Sequence, residues 1–448
     1  MSHKIVSSIN LPYRRSLIAA LALPLLLSAC GGGGGATPTT PSSNSASTPT
    51  GTPTGTPTGT PTGAPTGTPT TTSNQLESVV YEFGSYPGDA MLNGGEIVQG
   101  SDGNLYGTST SGGLNNHGTV FRFDPITNTE TVICNFGANV ADMSQGEYPQ
   151  DLIQGSDGKL YGVTENGGAN NAGVLFSVDP VTGAETVLYS ASSGTGFVTR
   201  YGSGTSFVQG KNGVLYFVED NQGTESMVGF NLATNTMTVL YTEPSGTTIT
   251  SLLQGSDGNL YGVNSGTGVS SDGALGGGAY GGGALFRFDL STNTMTTLYS
   301  FGAQVTDPIN PTSLIQGSDG NLYGVATLPS SLNFYLFEFN LASQTFSTYC
   351  GSNGIGVEVI QGNNGLFYLS NGTGGVLGSG AVQSCNVSTN TMTTLYSFGT
   401  ETNDISMNPY GILQGADGNL YGLAAGGVPG FMQGDGTLYK IKLSNSAN

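Results

Sequence analysis

Gln99-Gly100-Ser101-Asp102-Gly103-Asn104-Leu105-Tyr106 is the stretch on which the fold turns, because it recurs. Copies with the same Gln-Gly start begin at Gln154, Gln209, Gln254, Gln316, Gln361 and Gln414, giving seven units spaced 45 to 62 residues apart. Recurrence at such a period is the mark of a repeat architecture, in which each unit buries a face against its neighbour. Two copies are degenerate: Gln209-Gly210-Lys211-Asn212-Gly213 and Gln361-Gly362-Asn363-Asn364-Gly365 lose the aspartate and keep the glycine. All seven keep the tyrosine, at Tyr106, Tyr161, Tyr216, Tyr261, Tyr323, Tyr368 and Tyr421. The Asp-Gly or Asn-Gly step predicts a type I′ hairpin turn, whose two central residues both need positive φ.

Each unit carries four strand-like runs around that turn. Strand a is the apolar stretch before Gln-Gly, such as Ser313-Leu314-Ile315, and strand b is the Leu-Tyr-Gly-Val type after it. Strand c reads like Val120-Phe121-Arg122-Phe123-Asp124, and strand d like Thr296-Thr297-Leu298-Tyr299-Ser300-Phe301. The runs are apolar on successive as well as alternating residues, which suits sheets covered on both faces. Four antiparallel strands repeated seven times predict an all-β fold, a seven-bladed β-propeller. The last unit stops after strand c at Leu438-Tyr439-Lys440-Ile441, while Val79-Val80-Tyr81-Glu82-Phe83-Gly84 copies strand d. The N-terminal strand is therefore expected to close the last blade and remove the open edges.

The shared motif Gly-Ser-Asp-Gly-Asn-Leu-Tyr-Gly, then Gly-Thr-Val-Phe, then Leu-Tyr-Ser-Phe resembles the Gloeo/Verruco repeat of choice-of-anchor tandem repeat GloVer-containing proteins. The resemblance covers about residues 76–448. That family is defined by its repeat and its varied anchors, and the resemblance lends no catalytic residues.

Composition agrees with an all-β chain and excludes several functions. Of 448 residues, 74 are glycine, and charged residues make up only 9%, against a typical ~25%. The net charge of −19 leaves almost nothing to neutralise phosphates, which argues against nucleic acid. Lys4, Arg14 and Arg15 precede an apolar run, Ser16 to Leu27, that is too short to span a bilayer and fits a secretory signal. It ends in Leu27-Ser28-Ala29-Cys30, which looks like a bacterial lipobox. Residues 1–29 are thus read as a lipoprotein signal peptide and Cys30 as the lipidated residue, a membrane anchor through several acyl chains, including palmitate. Gly31 after the cysteine implies, by resemblance to such signals, sorting to the outer membrane. Residues 30–75 hold the lipidated cysteine and a disordered Gly/Thr/Pro-rich linker, which at ~3.1 Å per residue could reach about 130 Å. Residues 76–448 form the propeller. Besides Cys30, the processed chain has Cys134, Cys350 and Cys385, an odd number that leaves at least one unpaired; Cys350–Cys385 is one candidate disulfide.

The Ser-Asp-Gly-Asn turns invite a calcium reading, but no turn supplies several ligands within twelve residues and a closing Glu. The seven glutamines are read as satisfying backbone groups between blades. His117 lies in the first b–c loop, and any Ser-His-Asp or Cys-His catalysis would have to use it. Paired carboxylates are the other chemical option. Glu165, Glu219 and Asp220 follow strand b, where b–c loops should meet d–a loops carrying Asp89, Asp142, Glu147, Asp307 and Asp404 with Tyr86, Tyr148, Tyr201 and Tyr410. Arg200 neighbours Tyr201. The candidate binding residues on this face are His117, Glu165, Glu219, Asp220, Arg200, Tyr201 and Tyr410. No catalytic residue, metal or cofactor is assigned. The expectation is a monomeric, lipid-anchored outer-membrane propeller that binds a polysaccharide, a peptide or another envelope protein. The alternatives are a carboxylate-based or metal-assisted lyase or hydrolase on the same face, and a scaffold in a surface assembly.

Overall fold

The computed structural model describes residues 77–443, apart from 92–93, 138–143, 199–205, 267–281, 304–306, 329–332, 401–405 and 427–434. Every regular element within them is a strand, and no helix is long and apolar enough to cross a membrane. The strands form seven small antiparallel sheets in a ring, a seven-bladed β-propeller. In blade 1, strand a is Ile97–Gln99, b Leu105–Ser109, c Thr119–Asp124 and d Thr129–Asn135, paired in that order. Blade 7 is built from Ser406–Gln414, Leu420–Gly426 and Thr437–Ile441, and its outer strand is Glu77–Glu82. Glu77 lies opposite Ile441 and Glu82 opposite Thr437, so the chain ends zip the ring shut.

The a–b turns differ from the expected type I′. Only the glycine takes positive φ: Gly103, Gly158, Gly213, Gly258, Gly320, Gly365 and Gly418, at 76–87°. Gly103 N–H closes the turn on Gly100 C=O at 3.0 Å, and Gly100 N–H bonds Asn104 C=O at 2.8 Å. The reason lies in the aspartate, whose carboxylate accepts from Asn104 N–H at 3.1 Å and from the Tyr106 hydroxyl at 2.8 Å. That arrangement holds Asp102 outside the left-handed region. A side chain at Gly103 would meet nothing within 4 Å, so glycine is required there for its φ alone. In the degenerate copies the link to the tyrosine survives with donor and acceptor exchanged: Asn212 and Asn364 Nδ2 donate to the Tyr216 and Tyr368 hydroxyls, each at 2.8 Å.

The glutamines join blades, as expected. Gln154 Oε1 accepts the Ser101 N–H of the preceding turn at 2.7 Å. Gln209, Gln254, Gln316, Gln361 and Gln414 repeat the clasp at 2.7–2.8 Å. At the seventh junction Gln99 Nε2 has no hydrogen-bond partner among the described residues. Phenols also bridge that seam: Tyr81 donates to Asp89 Oδ2 at 3.0 Å and Tyr86 to Glu130 Oε2 at 2.9 Å.

Packing depends on a second glycine. Gly107, Gly162, Gly262, Gly324 and Gly422 of strand b lie opposite Phe121, Phe176, Phe286, Phe337 and Tyr439 of strand c. A Cβ at any of them would collide with that ring. Blade 3 exchanges the sizes, with Phe217 opposite Val228, and blade 6 pairs Leu369 with Gln383. Four of the strand-c rings also meet a phenylalanine from the preceding blade, at Phe83–Phe121, Phe136–Phe176, Phe301–Phe337 and Phe398–Tyr439, with centroids 4.9–5.3 Å apart. The candidate disulfide Cys350–Cys385 is formed, with Cα atoms 5.8 Å apart, and ties the outer strand of blade 5 to strand c of blade 6. Its loop spans 35 residues, which corresponds to about 3–4 kcal/mol of chain entropy removed from the unfolded state. Cys134 is buried and takes no part in it.

Gly262→Ala should destabilise the fold by about 1–3 kcal/mol through overpacking. In a Phe286→Val background, which puts on strand c the residue type that blade 3 carries there, the same Gly262→Ala change should cost much less. Urea unfolding of the two single variants and the double variant checks the coupling.

Candidate functional site

The two faces of the ring are built differently. The a–b turns and c–d turns lie on one, with their Asp, Asn, Gln and Tyr polar atoms engaged in the bonds above. On the other, d–a segments lean on the b–c loops of the next blade. Thr195–Phe197 adds a strand to the end of Val214–Asn221, and Ala90–Met91 pairs with Ser111–Gly112. Three blades use one staple on the way into strand a, a left-handed residue followed by proline: Tyr148-Pro149, Asn310-Pro311 and Asn408-Pro409, with φ of 58°, 51° and 51°. Each left-handed residue donates its N–H to a b–c loop carbonyl, on His117, Gly282 and Ser379, at 2.7–2.9 Å. Asn tolerates that conformation. Tyr148 does not, and holding it there costs about 1–2 kcal/mol.

Tyr148 is the centre of a mixed cluster. The His117 ring lies 5.8 Å from its ring, and His117 Nδ1 approaches Glu147 Oε2 at 3.4 Å. Glu147 is buried and Glu165 exposed. Burial, with the Glu147 and Glu165 charges, pushes the Tyr148 phenol up. The structure therefore brings His117 and Glu165 to one place, between blades 1 and 2. Glu219 and Asp220 lie farther round, in blade 3. Glu219 is half-buried, opposite Phe197, and burial raises its carboxyl. Asp220 lies near the end of the strand Val214–Asn221 and accepts the Gly223 N–H of the following turn at 2.9 Å. Tyr410 is turned inward: its ring packs against the core between blades 7 and 1, and its hydroxyl is buried with no partner among the described residues. Cys30, Arg200, Tyr201, Asp142 and Asp404 lie outside the described residues.

The centre of the ring holds acids that the sequence reading missed. Neighbouring a strands touch around the ring and so line its middle. The position three residues before each repeat glutamine is Glu96, Asp151, Ser206, Ser251, Ser313, Glu358 or Gly411. These residues stitch adjacent blades. Ser206 Oγ donates to Asp151 Oδ2 at 3.0 Å, Ser251 and Ser313 Oγ accept from Leu314 and Val359 N–H, and Glu358 Oε2 accepts from Ile412 N–H at 2.8 Å. Burial, with the Glu358 and Asp151 charges, raises Glu96 well above the ordinary range, and burial pushes Glu358 up to about 7. Three further carboxyls are raised mainly by burial, Glu130 to about 7, Glu243 to about 7 and Glu185 to about 8. Among the described residues no three His, Cys, Asp or Glu side chains are grouped to hold a metal ion.

The model of the Gloeobacter/Verrucomicrobia repeat matches residues 60–276 and 274–448. A comparison with curated protein sequences finds no match. Among solved structures, an oligogalacturonate lyase in complex with manganese superposes with a TM-score of 0.56 at 13% identity, covering 83% of this chain and 96% of that one. The oligogalacturonate lyase of Vibrio parahaemolyticus gives 0.55 at 10% identity, over 83% and 98% of the two chains. The extracellular domain of a hybrid two-component system from B. thetaiotaomicron gives 0.51 at 14% identity, over 78% of this chain and 40% of that one. At these identities the likeness is one of fold.

The raised acids set the pH dependence of stability. Each binds its proton more tightly folded than unfolded, so its contribution is full below the ordinary value of 4.5 and is lost as pH rises through the raised folded value, about 7 for Glu358, Glu130 and Glu243 and about 8 for Glu185. Calorimetry should find Tm falling between about pH 5 and 8, and Glu358→Gln should flatten that fall. A Tm that climbs over this range would contradict the assignment.

Proposed function

The chain belongs to the Gloeobacter/Verrucomicrobia repeat family, and we propose that it is a non-enzymatic binding module held at the bacterial outer membrane by a lipid on Cys30. One observation carries the reading. The closing strand enters at Glu77, opposite Ile441, on the face of the uniform turns. A tether ahead of it, lengthened by the Thr/Pro/Gly spacer, leaves the varied loop face directed away from the membrane. Binding residues on a rigid scaffold are usually carried by such loops. The partner is a polysaccharide, a peptide or another envelope protein, met by His117, Glu147, Tyr148, Glu165 and Glu219. The strain at Tyr148 supports this choice, since Asn serves the same staple twice elsewhere in the ring without it.

A second reading, a carboxylate-based lyase or hydrolase, is favoured by one contact, the approach of His117 to Glu147 at 3.4 Å beside Tyr148. The two readings separate experimentally. For a binding module, Tyr148→Asn should keep or raise Tm while weakening capture on an array of bacterial surface glycans and envelope peptides by about tenfold. Unaltered capture by that variant and by His117→Ala would remove the loop face from consideration. For an enzyme, turnover of an oligosaccharide would appear and would fall by about a hundredfold or more in Glu147→Gln or Glu165→Gln. Cys30→Ala should abolish palmitate incorporation and move the protein to the soluble fraction.

A further inference from the structure

The junction between blades 5 and 6 departs from the repeat in three ways at one place. Gln383 stands where five of the other blades carry a phenylalanine or tyrosine in strand c, and its partner in strand b is Leu369 instead of glycine. Its amide reaches across the junction: Nε2 donates to Ser352 Oγ of blade 5 at 2.9 Å and to Thr394 Oγ1 at 3.2 Å. The outer strand of blade 5, Thr345–Asn353, has nine residues where the other outer strands have six or seven, and the register shift that every blade shows between strands c and d falls here opposite Tyr335. There Gly351 lies so close to the Tyr335 ring that a Cβ would collide with it. The disulfide Cys350–Cys385 pins the same two strands.

These departures open a groove of about 370 Å³ on the flank of the ring, lined by Asn333, Tyr335, Ser352, Asn353, Gln383 and Thr394 together with Gly351 and Met392. Its volume falls within the range of small-ligand sites, roughly 300–1,000 Å³. None of its lining side chains is charged, although the chain carries a net charge of −19. Gln383 is 5% exposed, and its hydrogen bonds fix it in place. Tyr335, Asn333 and Ser352 are half-exposed, while Asn353 and Thr394 are exposed.

We propose that this groove binds an uncharged carbohydrate. Two amides, Asn333 and Asn353, and the hydroxyls of Ser352 and Thr394, which Gln383 holds in place, supply donors and acceptors at short intervals, which matches adjacent sugar hydroxyls that each both give and accept a hydrogen bond. Tyr335 adds a rigid aromatic surface for the C–H face of a pyranose ring, with a hydroxyl at its edge. An anionic sugar would find no cation here, and a basic ligand would find no carboxylate. The site lies on the flank of blades 5 and 6, apart from the loop cluster of blades 1 and 2, so the two stand or fall separately.

Isothermal titration of the folded protein with cellohexaose, laminarihexaose and maltohexaose tests the proposal. At least one should bind with a dissociation constant of about 1 mM or tighter. Tyr335→Ala should weaken it by about tenfold or more, and Ser352→Phe, which fills the groove with a ring as other junctions do, should abolish it. Ile126→Ser, on an exposed turn of blade 1, should leave it unaltered and serves as the folding control. Absence of heat for all three sugars at about 5 mM overturns the proposal. So does binding that survives both groove substitutions.

Discussion

Five backbone pairings, from Glu77–Ile441 to Glu82–Thr437, hold seven sheets in a ring. Without them blade 7 would keep three strands and present a bare edge, which is a template for association with other chains. The loss would not stop there. Phe83 follows the closing strand and packs on Phe121 of blade 1, and Tyr81 and Tyr86 supply further hydrogen bonds at this seam. All seven d–a connections are continuous in the chain, so neighbouring blades stay tethered when a junction loosens. Only the pairing inside blade 7, of Glu77–Glu82 with Thr437–Ile441, has to find its partner across more than 350 residues.

The rest of the architecture divides its polar groups between two duties. On the turn face, Asp102, Asn104, Tyr106 and the next unit's Gln154 consume one another's hydrogen-bonding capacity, and the scheme recurs unit by unit. Such groups are unavailable to a ligand, which is why repetition there signals scaffold. On the loop face and at the centre the polar residues are particular to single units, and several are buried acids. Carboxylates with raised pKa values oppose folding at neutral pH. Their retention in a fold otherwise satisfied by serine at the same register, as at Ser251 and Ser313, sets those positions apart from the scaffold.

The blade count, the four strands per unit and the closing strand were legible because each rests on a pattern written many times, or twice in the case of strand d. The disulfide was legible only as a candidate among three cysteines. The turn type was misread because the Asp-Gly step does not reveal that the aspartate carboxylate is committed to Asn104 N–H and Tyr106. Glu96, Asp151 and Glu358 escaped notice since each sits singly inside an apolar run, and only their shared distance from the repeat glutamine unites them. Tyr410 was read as a loop residue, yet the strand that follows the loop begins at Ser406 and carries its ring inward. The exchange of Gly107–Phe121 for Phe217–Val228 or Leu369–Gln383 is invisible until strand register is known, because the partners lie 11 to 14 residues apart along the chain.

The entry point of the closing strand has a mechanical consequence. Any pull on the chain ahead of Glu77 is delivered first to the one strand whose detachment opens the ring. If the force runs along that strand, its backbone hydrogen bonds share the load and rupture together, a shear geometry. If it runs across, they peel singly from the Glu77–Ile441 end, and the assembly behaves as a zip with a low yield force. The direction of tension, as much as the free energy of folding, then determines how long the ring survives under drag.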